Sequence, residues 1–182
     1  ATIMYGHIDR PKHWANHLLR IRALQKRTSG FTEFVPLPYV HMEAPMYLKG
    51  LSRRGPSFRE AVLMHTVARL VFHGQIENIQ ASWVKMGLDG VAACLNAGAN
   101  DLGGTLMNET ITRSAGASWG QEMPPEEMDA LIASIDRTPE RRSTLYGPVE
   151  AERIGASLAA GPLMETINNP PQRIKNTNIN HA

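Results

Sequence analysis

Short strand-like runs alternate with longer helix-like segments, and this order constrains the fold more than any other feature of the sequence. Four runs have strand composition, and each precedes a helical pattern directly or across a loop; they span residues 1–7, 31–40, 78–87 and 97–106. Alternation of this kind is typical of parallel βα units. The sequence therefore predicts an α/β fold of about four βα units, the C-terminal half of a (β/α)8 TIM-type barrel.

Helical periodicity predicts where the helices lie. A first helix spans about 12–28, and a second begins at a capping box made by Ser57 and Glu60. A third, short helix is expected over 89–98, and a fourth follows Pro124. The expected apolar stripes are Trp14, Leu18, Ile21 and Leu24, then Ala61, Met64, Val67, Ala68 and Val71, and finally Met128, Leu131, Ile132 and Ile135.

Composition excludes several classes of protein. With 42% hydrophobic and 20% charged residues, the chain has the balance of a packed globular protein, and a net charge of +2 gives little support to nucleic-acid binding. No apolar run approaches the ~20 residues that span a bilayer, so we expect no membrane association and a cytoplasmic location. The single cysteine, Cys94, cannot form an internal disulfide or a cluster-binding triad, and its helical, apolar surroundings predict a buried thiol.

Residues 1–146 carry the βα rhythm, and residues 147–182 have the composition of a C-terminal extension with a polar tail. The loop over 41–57 is unusually long, which makes it a candidate lid. A half barrel leaves two strand edges uncovered, and the chain begins at an apolar run without Met. We therefore expect a piece of a longer protein, or a chain that pairs with another.

Strand alternation indicates which polar side chains face the barrel interior, where the carboxyl ends of the strands build the active site. Phe34 most naturally faces the helices, which turns Glu33 inward together with Val35. A carboxylate in that position is costly unless it is hydrogen-bonded or binds a ligand. The apolar residues of the third strand also face the helices, so Gln80 and Ser82 are predicted to point inward.

Other candidates are less determined by the pattern. Asn100 and Asp101 point to opposite faces, so at most one of them lines the interior. Of seven histidines, only His7 and His41 lie just past strand ends. Structural roles remain open at this point: Glu33 could pair with an arginine or a backbone donor, and the polar residues of the third strand could satisfy buried backbone groups.

Glycine and motif patterns add little. Gly103 and Gly104 precede a helix-like segment, where free backbone amides could receive an anion. The sequence contains none of the common phosphate-loop, dinucleotide-binding, zinc-protease or nucleophile-elbow motifs. Hydrolase and nucleotide-kinase functions are therefore disfavoured.

Four stretches together resemble one enzyme family. TIMYGHID at 2–9, GFTEFVPLPYVHMEAP at 30–45, NIQASWVKMG at 78–87 and GANDLGGTLMNE at 98–109 are similar to the second half of the tyrosine-using component of FO synthase. This is a radical S-adenosylmethionine (SAM) family of hydroxyphenyl transferases in deazaflavin (coenzyme F-420) biosynthesis. The resemblance extends to about Tyr146. Radical SAM enzymes of the futalosine route to menaquinone are more distant through FVPLPYVHMEAP at 34–45.

The resemblance implies a barrel whose three-cysteine motif holds a 4Fe-4S cluster, and this chain would supply strands five to eight without those cysteines. It implies that the whole enzyme cleaves SAM reductively and that the resulting radical abstracts hydrogen from tyrosine. The hydroxybenzyl fragment of tyrosine is then joined to 5-amino-6-(D-ribitylamino)uracil. The implied partners are an N-terminal half barrel and a companion radical SAM component, and we expect this chain alone to be inactive and to bind no cluster.

The resemblance also suggests roles for individual residues. A strand-five pattern near the adenine of SAM falls on Thr2, Met4, Gly6 and Asp9, of which only Gly6 is identical. Tyr5, Gly6, Val35 and Leu37 are the implied cofactor contacts, Gly6 because it lets the backbone approach the ligand. Polar contacts to the uracil and the tyrosine are implied for Glu33, Gln80, Ser82 and Asn100, and proton transfer for His7.

Two rival functions stay open from the sequence. A divalent-metal hydrolase could use the oxygen and nitrogen ligands of His7, Asp9, Glu33 and Asp101, although no helix presents paired histidines at metal spacing. A non-catalytic half barrel could serve as a binding or assembly module, which the single cysteine favours for the chain alone.

Overall fold

The chain forms a small parallel sheet with helices packed against one face. The structure, a computed structural model, describes residues 1–106, 109–118, 120 and 122–161. The strands are β1 (Thr2–Tyr5), β2 (Glu33–Pro38) and β3 (Asn78–Ile79), in the order β1-β2-β3. The helices are α1 (Pro11–Thr28), α2 (Pro45–Leu48), α3 (Phe58–Phe72), α4 (Trp83–Asn96), α5 (Ile111–Ser114), α6 (Pro125–Ala133) and α7 (Ala151–Ala159).

The sheet confirms the predicted α/β class and the parallel connection of successive units. Thr2 pairs with Val35 and Glu33 with Asn78, both in parallel register. An isolated parallel bridge between Gln80 and Asp101 continues the same order to a fourth position. The third strand is shorter than predicted because a helix begins at Trp83, and within the described residues the fourth run contributes only this bridge.

Helix α1 lies where its amphipathic pattern predicts. Pro11 occupies the first turn, where its missing N–H is not needed, and Trp14, Leu18 and Ile21 are buried. Leu24 is exposed, contrary to the predicted stripe, and Gln25 is buried in its place. The Gln25 side-chain Nε2 donates to the backbone carbonyls of residues 31 and 75, and its Oε1 accepts from the backbone amide of residue 31. The side chain therefore fixes the turn that leads into β2.

Helix α3 confirms the predicted capping box. The Ser57 hydroxyl accepts from the Glu60 amide, and the Glu60 carboxylate accepts from the Ser57 amide. The buried face consists of Ala61, Met64, His65, Ala68 and Phe72. Val67, which the stripe placed on this face, is 41% exposed, because the buried face follows the four-residue spacing through His65.

Helix α4 departs most from the expected pattern. It begins at Trp83 rather than near Asp89, and Gly87 interrupts it with a left-handed backbone (φ 66°). Only the second part of α4 corresponds to the predicted third helix. Val91, Cys94 and Leu95 from this part are buried.

Helix α6 confirms the prediction of a helix after the paired prolines. It starts at Pro125, buries Met128, and packs Leu131, Ile132 and Ile135 against the core around α4. Helix α7 falls in the predicted C-terminal extension and has no buried residue. The predicted polar tail, 168–182, lies outside the described residues. In the parts of the chain that the structure describes, no helix is long and apolar enough to cross a membrane.

The core lies between the sheet and its helices. Ile3, Tyr5, Phe34 and Ile79 of the sheet join Trp14, Leu18, Ile21, Met64, Ala68, Phe72 and Ile76 in one cluster. The Phe34 and Phe72 rings meet edge to face with centroids 4.9 Å apart. Burying this face leaves the alternate strand residues, among them Glu33, on the other side of the sheet.

Candidate functional site

The sheet face turned away from the helices carries Met4, Glu33, Val35 and Leu37, which we call the open face. Met4 is 58% exposed, and the three β2 residues are half-buried, in alternation with buried Phe34, Pro36 and Pro38. The predicted orientation of Phe34 and Glu33 is therefore the observed one. Tyr5, by contrast, belongs to the other face: its ring packs edge-on against Trp14 in the helix-side core, so its side chain does not line the open face.

Glu33 does not stand alone on the open face. Its Oε2 accepts a hydrogen bond of 2.5 Å from the Tyr146 hydroxyl, across 113 residues of sequence. Partial burial raises the pKa of Tyr146, and the hydrogen bond to the Glu33 carboxylate adds to the rise. Tyr146 is therefore a neutral donor to Glu33.

Asp101 and Arg142 extend the same cluster. Arg142 Nη2 donates to Asp101 Oδ1 at 2.9 Å, and Arg142 Nε donates to Asp101 Oδ2. The Arg142 Cζ atom lies 4.1 Å from the centroid of the Tyr146 ring, and the Gly103 amide donates to Asp101 Oδ1 at 2.6 Å. The hydrogen bonds that Arg142 donates to the Asp101 carboxylate raise the pKa of Arg142. Glu33, Asp101, Arg142 and Tyr146 are called the carboxylate network below.

Sequence reasoning missed two members of the carboxylate network. The pair Arg141-Arg142 stands out in the sequence as a basic dipeptide, but nothing local indicates that the second arginine reaches Asp101. Nothing in the sequence around Tyr146 indicates its contact with Glu33. A basic pair with an aromatic residue four positions later was the only available signal.

The structure places Asn100 and Asp101 on opposite faces. Asn100 was the residue predicted to contact substrate, but it is Asp101 that contacts the carboxylate network. Asn100 Oδ1 accepts from Arg69 Nη2 at 2.7 Å and from the Ile79 amide at 2.9 Å. Its oxygen therefore ties α3 to the sheet. Asp101 is the residue that faces the carboxylate network, where its side chain is only 7% exposed.

Gln80 lies beside this network just after β3, where it bridges to Asp101. Gln80 is half-buried, and its amide packs so closely on Gly103 (φ 74°) that a Cβ there would come within 2.5 Å of Nε2. Ser82 is buried and forms the N-cap position of α4 without a side-chain capping bond. Ile79, Ala81 and Trp83 are buried on the helix side, as alternation predicts.

A second polar cluster follows β1. The Asp9 carboxylate accepts hydrogen bonds from the amides of Gly6 (2.9 Å) and His7 (3.0 Å) and from Trp14 Nε1. The buried His7 Nδ1 lies 2.9 Å from Asp9 Oδ1 but off the line of a hydrogen bond, and the His7 ring is tilted against Tyr39. Asp9 therefore shapes the turn that presents His7.

The 41–57 loop is tied down over this turn. The Arg53 amide donates to the His7 carbonyl at 2.9 Å, and the Glu43 amide donates to the Ala115 carbonyl at 2.9 Å. Gly6 has φ 94°, and a Cβ there would lie 2.3 Å from Pro56 Cδ. The space that Gly6 was expected to open for a ligand is thus filled by Pro56 of the loop.

A cleft remains beside the loop. It has a volume of about 480 Å³ and is lined by His7, Ile8, Asp9, Arg10, Pro11, Gly50, Leu51, Ser52, Arg53 and Glu60. His41, the other histidine past a strand end, lies elsewhere in the loop, where its ring meets Tyr47 edge-on at 4.6 Å. Burial lowers the pKa of His41, and the nearby Arg54 charge adds to that effect.

The arrangement does not favour the rival metal-hydrolase function. Among the described residues, no three His, Cys, Asp or Glu side chains are grouped so that they could hold a metal ion. Asp9 is already engaged by three N–H donors, and Asp101 by Arg142 and Gly103. Gly103 and Gly104 do not open a helix, since the next described helix begins at Ile111, so the expected anion site is not formed there.

Comparison with known proteins identifies one family. The family model for the CofH/MqnC C-terminal region matches residues 28–153. The chain is 54% identical over 150 residues to the 5-amino-6-(D-ribitylamino)uracil--L-tyrosine 4-hydroxyphenyl transferase of Methanopyrus kandleri, covering 82% of this chain and 41% of that relative. It is 50% identical over 153 residues to the FO synthase of Streptomyces coelicolor, which covers 84% of this chain and 18% of that relative. It is 51% identical over 146 residues to the FO synthase of Mycobacterium leprae, which covers 80% of this chain and 17% of that relative. The chain thus spans less than half the length of each relative.

Proposed function

Because this chain belongs to the CofH/MqnC C-terminal region family, we propose that it is part of an enzyme of FO biosynthesis. The proposed reaction transfers the hydroxybenzyl fragment of L-tyrosine to 5-amino-6-(D-ribitylamino)uracil. The names of relatives at 50% and 54% identity support this reaction over the futalosine-route alternative. The activity belongs to the whole enzyme, since the chain corresponds to 41% of the transferase and 18% of the FO synthase.

We propose that the four βα units are strands five to eight of a (β/α)8 barrel. The parallel order β1-β2-β3 follows the chain, and the Gln80–Asp101 bridge adds a fourth position in sequence. Helices cover one face, as in the outer ring of such barrels. The open face would then be the barrel interior, closed by an N-terminal half barrel.

The proposed cofactors are SAM and a 4Fe-4S cluster. The residues of this chain do not fit the cluster, because its one cysteine, Cys94, is fully buried in the helix-side core and burial raises the pKa of its thiol to about 12. Cluster ligation is therefore assigned to the N-terminal half barrel. Val35 and Leu37 offer apolar contacts for SAM on the open face, whereas the Tyr5 side chain lies in the helix-side core and the space at Gly6 is filled by Pro56.

Glu33 is the proposed acid–base or hydrogen-bonding residue for substrate. It lies on the open face at the start of β2, and a hydroxyl donor already contacts it. Gln80 and Ser82, which follow the end of β3, are proposed neutral contacts, and His7 is a proposed proton carrier on its turn. Asp101 takes the place first considered for Asn100, whose oxygen is committed to Arg69 and the Ile79 amide.

The proposed partners follow from the same family. They are the N-terminal half barrel, a companion FO synthase component and the small molecules tyrosine and diaminouracil, in the cytoplasm and without nucleic acid. The net charge of +2 gives no basic surface that would argue otherwise.

The function is tested with Glu33→Gln in the whole enzyme, assembled anaerobically with cluster, SAM, tyrosine and diaminouracil. Loss of a positioned acid–base group is expected to lower formation of the coupled product by about 100-fold or more. Glu152→Gln, on the exposed helix α7, is the matched control and should keep full activity. Absence of the coupled product with the unmodified enzyme would contradict the proposed reaction, whereas full activity of Glu33→Gln would contradict only the role of Glu33.

A further inference from the structure

The cleft beside the 41–57 loop lies at the carboxyl end of the sheet. Its lining residues 7–11 follow the last residue of β1, Tyr5, and residues 50–53 belong to the loop that connects β2 to α3. Both segments connect a strand to the next helix, and such connections build the active sites of parallel barrels. The volume of about 480 Å³ lies in the range of small-molecule sites. The cleft therefore has the position and the size to take a ligand.

The carboxylates that line the cleft are already committed to the fold. Both Asp9 oxygens accept hydrogen bonds from backbone amides, and Oδ2 also accepts one from the Trp14 indole. Both Glu60 oxygens accept from Arg53 Nη1 at 3.3 Å, and Oε2 also closes the capping box of α3. Neither acid therefore needs a ligand as its partner.

Two arginines that line the same cleft keep unused donors. Within the described part of the chain, Arg53 Nε and Nη2 have no hydrogen-bond partner, and the Arg53 side chain is 39% exposed. Arg10 is exposed, and none of the described ion pairs includes it. Guanidinium groups only donate, so their free positions call for acceptor oxygens. The cleft thus favours a ligand with an anionic group.

The Arg53 guanidinium is held in place without a ligand. Its Cζ atom lies 5.7 Å from the centroid of the Trp14 ring, its Nη1 is paired with Glu60, and its backbone amide donates to the His7 carbonyl at 2.9 Å. Nε and Nη2 form the opposite edge of the group, which matches a carboxylate with two parallel hydrogen bonds. Because the side chain is already ordered, little further entropy is lost when a carboxylate binds.

Apolar side chains lie in the cleft together with these donors. Ile8 is 64% exposed and Leu51 62%, and both belong to the lining. Covering them removes apolar surface from water, which favours a ligand with an apolar body. A carboxylate on an apolar body therefore fits both parts of the wall.

We propose that this cleft binds the carboxylate of an amino-acid ligand, with Arg53 as the bidentate partner and Arg10 as a second cation. His7, the proposed proton carrier, lines the same cleft. The carboxylate site rests on the contacts of the cleft. L-Tyrosine and SAM both carry an amino-acid carboxylate, so the choice between them rests on the proposed function.

The test uses L-tyrosine and L-tyrosinol, in which a hydroxymethyl group replaces the carboxylate. Both are titrated into the whole enzyme with SAM present, and binding is followed by isothermal titration calorimetry. Arg53→Gln is expected to raise the Kd of L-tyrosine about tenfold or more, because a charged hydrogen-bonded pair is lost, and to leave the Kd of L-tyrosinol unchanged. Arg10→Gln should raise the Kd of L-tyrosine about threefold. Arg54→Gln, next to Arg53 but outside the cleft lining, is the matched control and should change neither Kd.

A second arm compares SAM with its decarboxylated analogue in the same variants. A loss confined to SAM supports the carboxylate site and assigns it to the cofactor, whereas a loss confined to L-tyrosine assigns it to the substrate. Unchanged Kd values for both ligands, or equal losses for a ligand and its carboxylate-free analogue, overturn the proposal. Retained binding of L-tyrosinol shows that Arg53→Gln is folded, and Arg10→Gln supplies the comparison if it is not. If the carboxylate dependence holds but the unmodified enzyme forms no coupled product, the proposed reaction falls and the carboxylate site stands.

Discussion

Asp101 and Arg142 are 41 residues apart in the sequence, yet Arg142 Nη2 donates to Asp101 Oδ1 at 2.9 Å at the end of the sheet. The Asp101 side chain is 7% exposed and the Arg142 side chain 29%. This pair connects the segment after α6 to the strand order, because Asp101 also bridges to Gln80. It therefore positions Tyr146 over the open face as well as stabilising the fold.

Replacing Arg142 by Ala should destabilise the protein. The change leaves the buried Asp101 carboxylate with only the Gly103 amide as a donor among its described partners. Loss of hydrogen bonds to a charged group of this kind costs about 1.5 to 3 kcal/mol of unfolding free energy. Urea denaturation measures the change, and Arg137→Ala, at an exposed position, should shift the midpoint little. Equal midpoints for the two variants would show that the Asp101–Arg142 pair contributes nothing.

Replacing Gly6 by Ala should be more costly than the same change at Gly50. Both glycines have left-handed backbones, with φ of 94° and 70°, but only at Gly6 would the new Cβ meet a neighbour, 2.3 Å from Pro56 Cδ. The backbone term is about 1 to 2 kcal/mol at either position. Forcing the 41–57 loop away from Gly6 adds about 1 to 3 kcal/mol. Thermal melting compares the pair, and similar melting temperatures would mean that the loop gives way freely.

The sequence predicts the elements whose pattern is local. Helix α1 forms within one residue of the expected bounds, and α3 begins directly after the expected N-cap, Ser57. The orientation of Glu33 follows from Phe34 because the two strand residues must point to opposite faces. The parallel connection of the units follows from the alternation of strand and helix.

The remaining features depend on contacts that are distant in sequence. Alternation separates Asn100 from Asp101 but does not say which is inward, since the flanking residues Ala99 and Leu102 are both buried. The contact of Tyr146 with Glu33 spans 113 residues. The left-handed backbone of Tyr146 is also not predictable, because the residue at that position is not a glycine. The strand residues of the site are therefore predictable from the sequence, whereas the contacts of Arg142 and Tyr146 with them are not.

The unfolding free energy should fall in mild acid because the folded protein holds His65 neutral. Its side chain is fully buried, its Nδ1 contacts the Ala61 carbonyl at 2.8 Å, and burial lowers its pKa below the ordinary 6.5. The unfolded chain then takes up a proton below pH 6.5 that the folded protein does not, so stability falls as the pH drops from there toward the folded pKa. The slope per proton is at most about 1.4 kcal/mol per pH unit.

Urea denaturation from neutral to mildly acidic pH tests this dependence. His65→Asn keeps a donor for the Ala61 carbonyl and removes the titration, so its unfolding free energy should fall less steeply than that of the unmodified protein. His73→Asn, at an exposed position, should keep the original slope. Parallel slopes for all three proteins would contradict a neutral, buried His65.

Cys94 should be inert in the folded protein and should report on unfolding. The thiol is fully buried on α4, and burial raises its pKa from 9.0 to about 12, so almost no thiolate is present at neutral pH. A disulfide reagent should therefore modify one thiol per chain in denaturant and none, on the same time scale, without it.

Above pH 9.0 the unfolded thiol of Cys94 loses its proton while the folded one keeps it, so stability falls as the pH rises from 9.0 toward about 12. Cys94→Ala removes this term and should show a shallower alkaline slope, although its unfolding free energy is lower throughout because of the lost side-chain volume. Rapid modification of the native protein, or equal alkaline slopes, would place Cys94 outside the core.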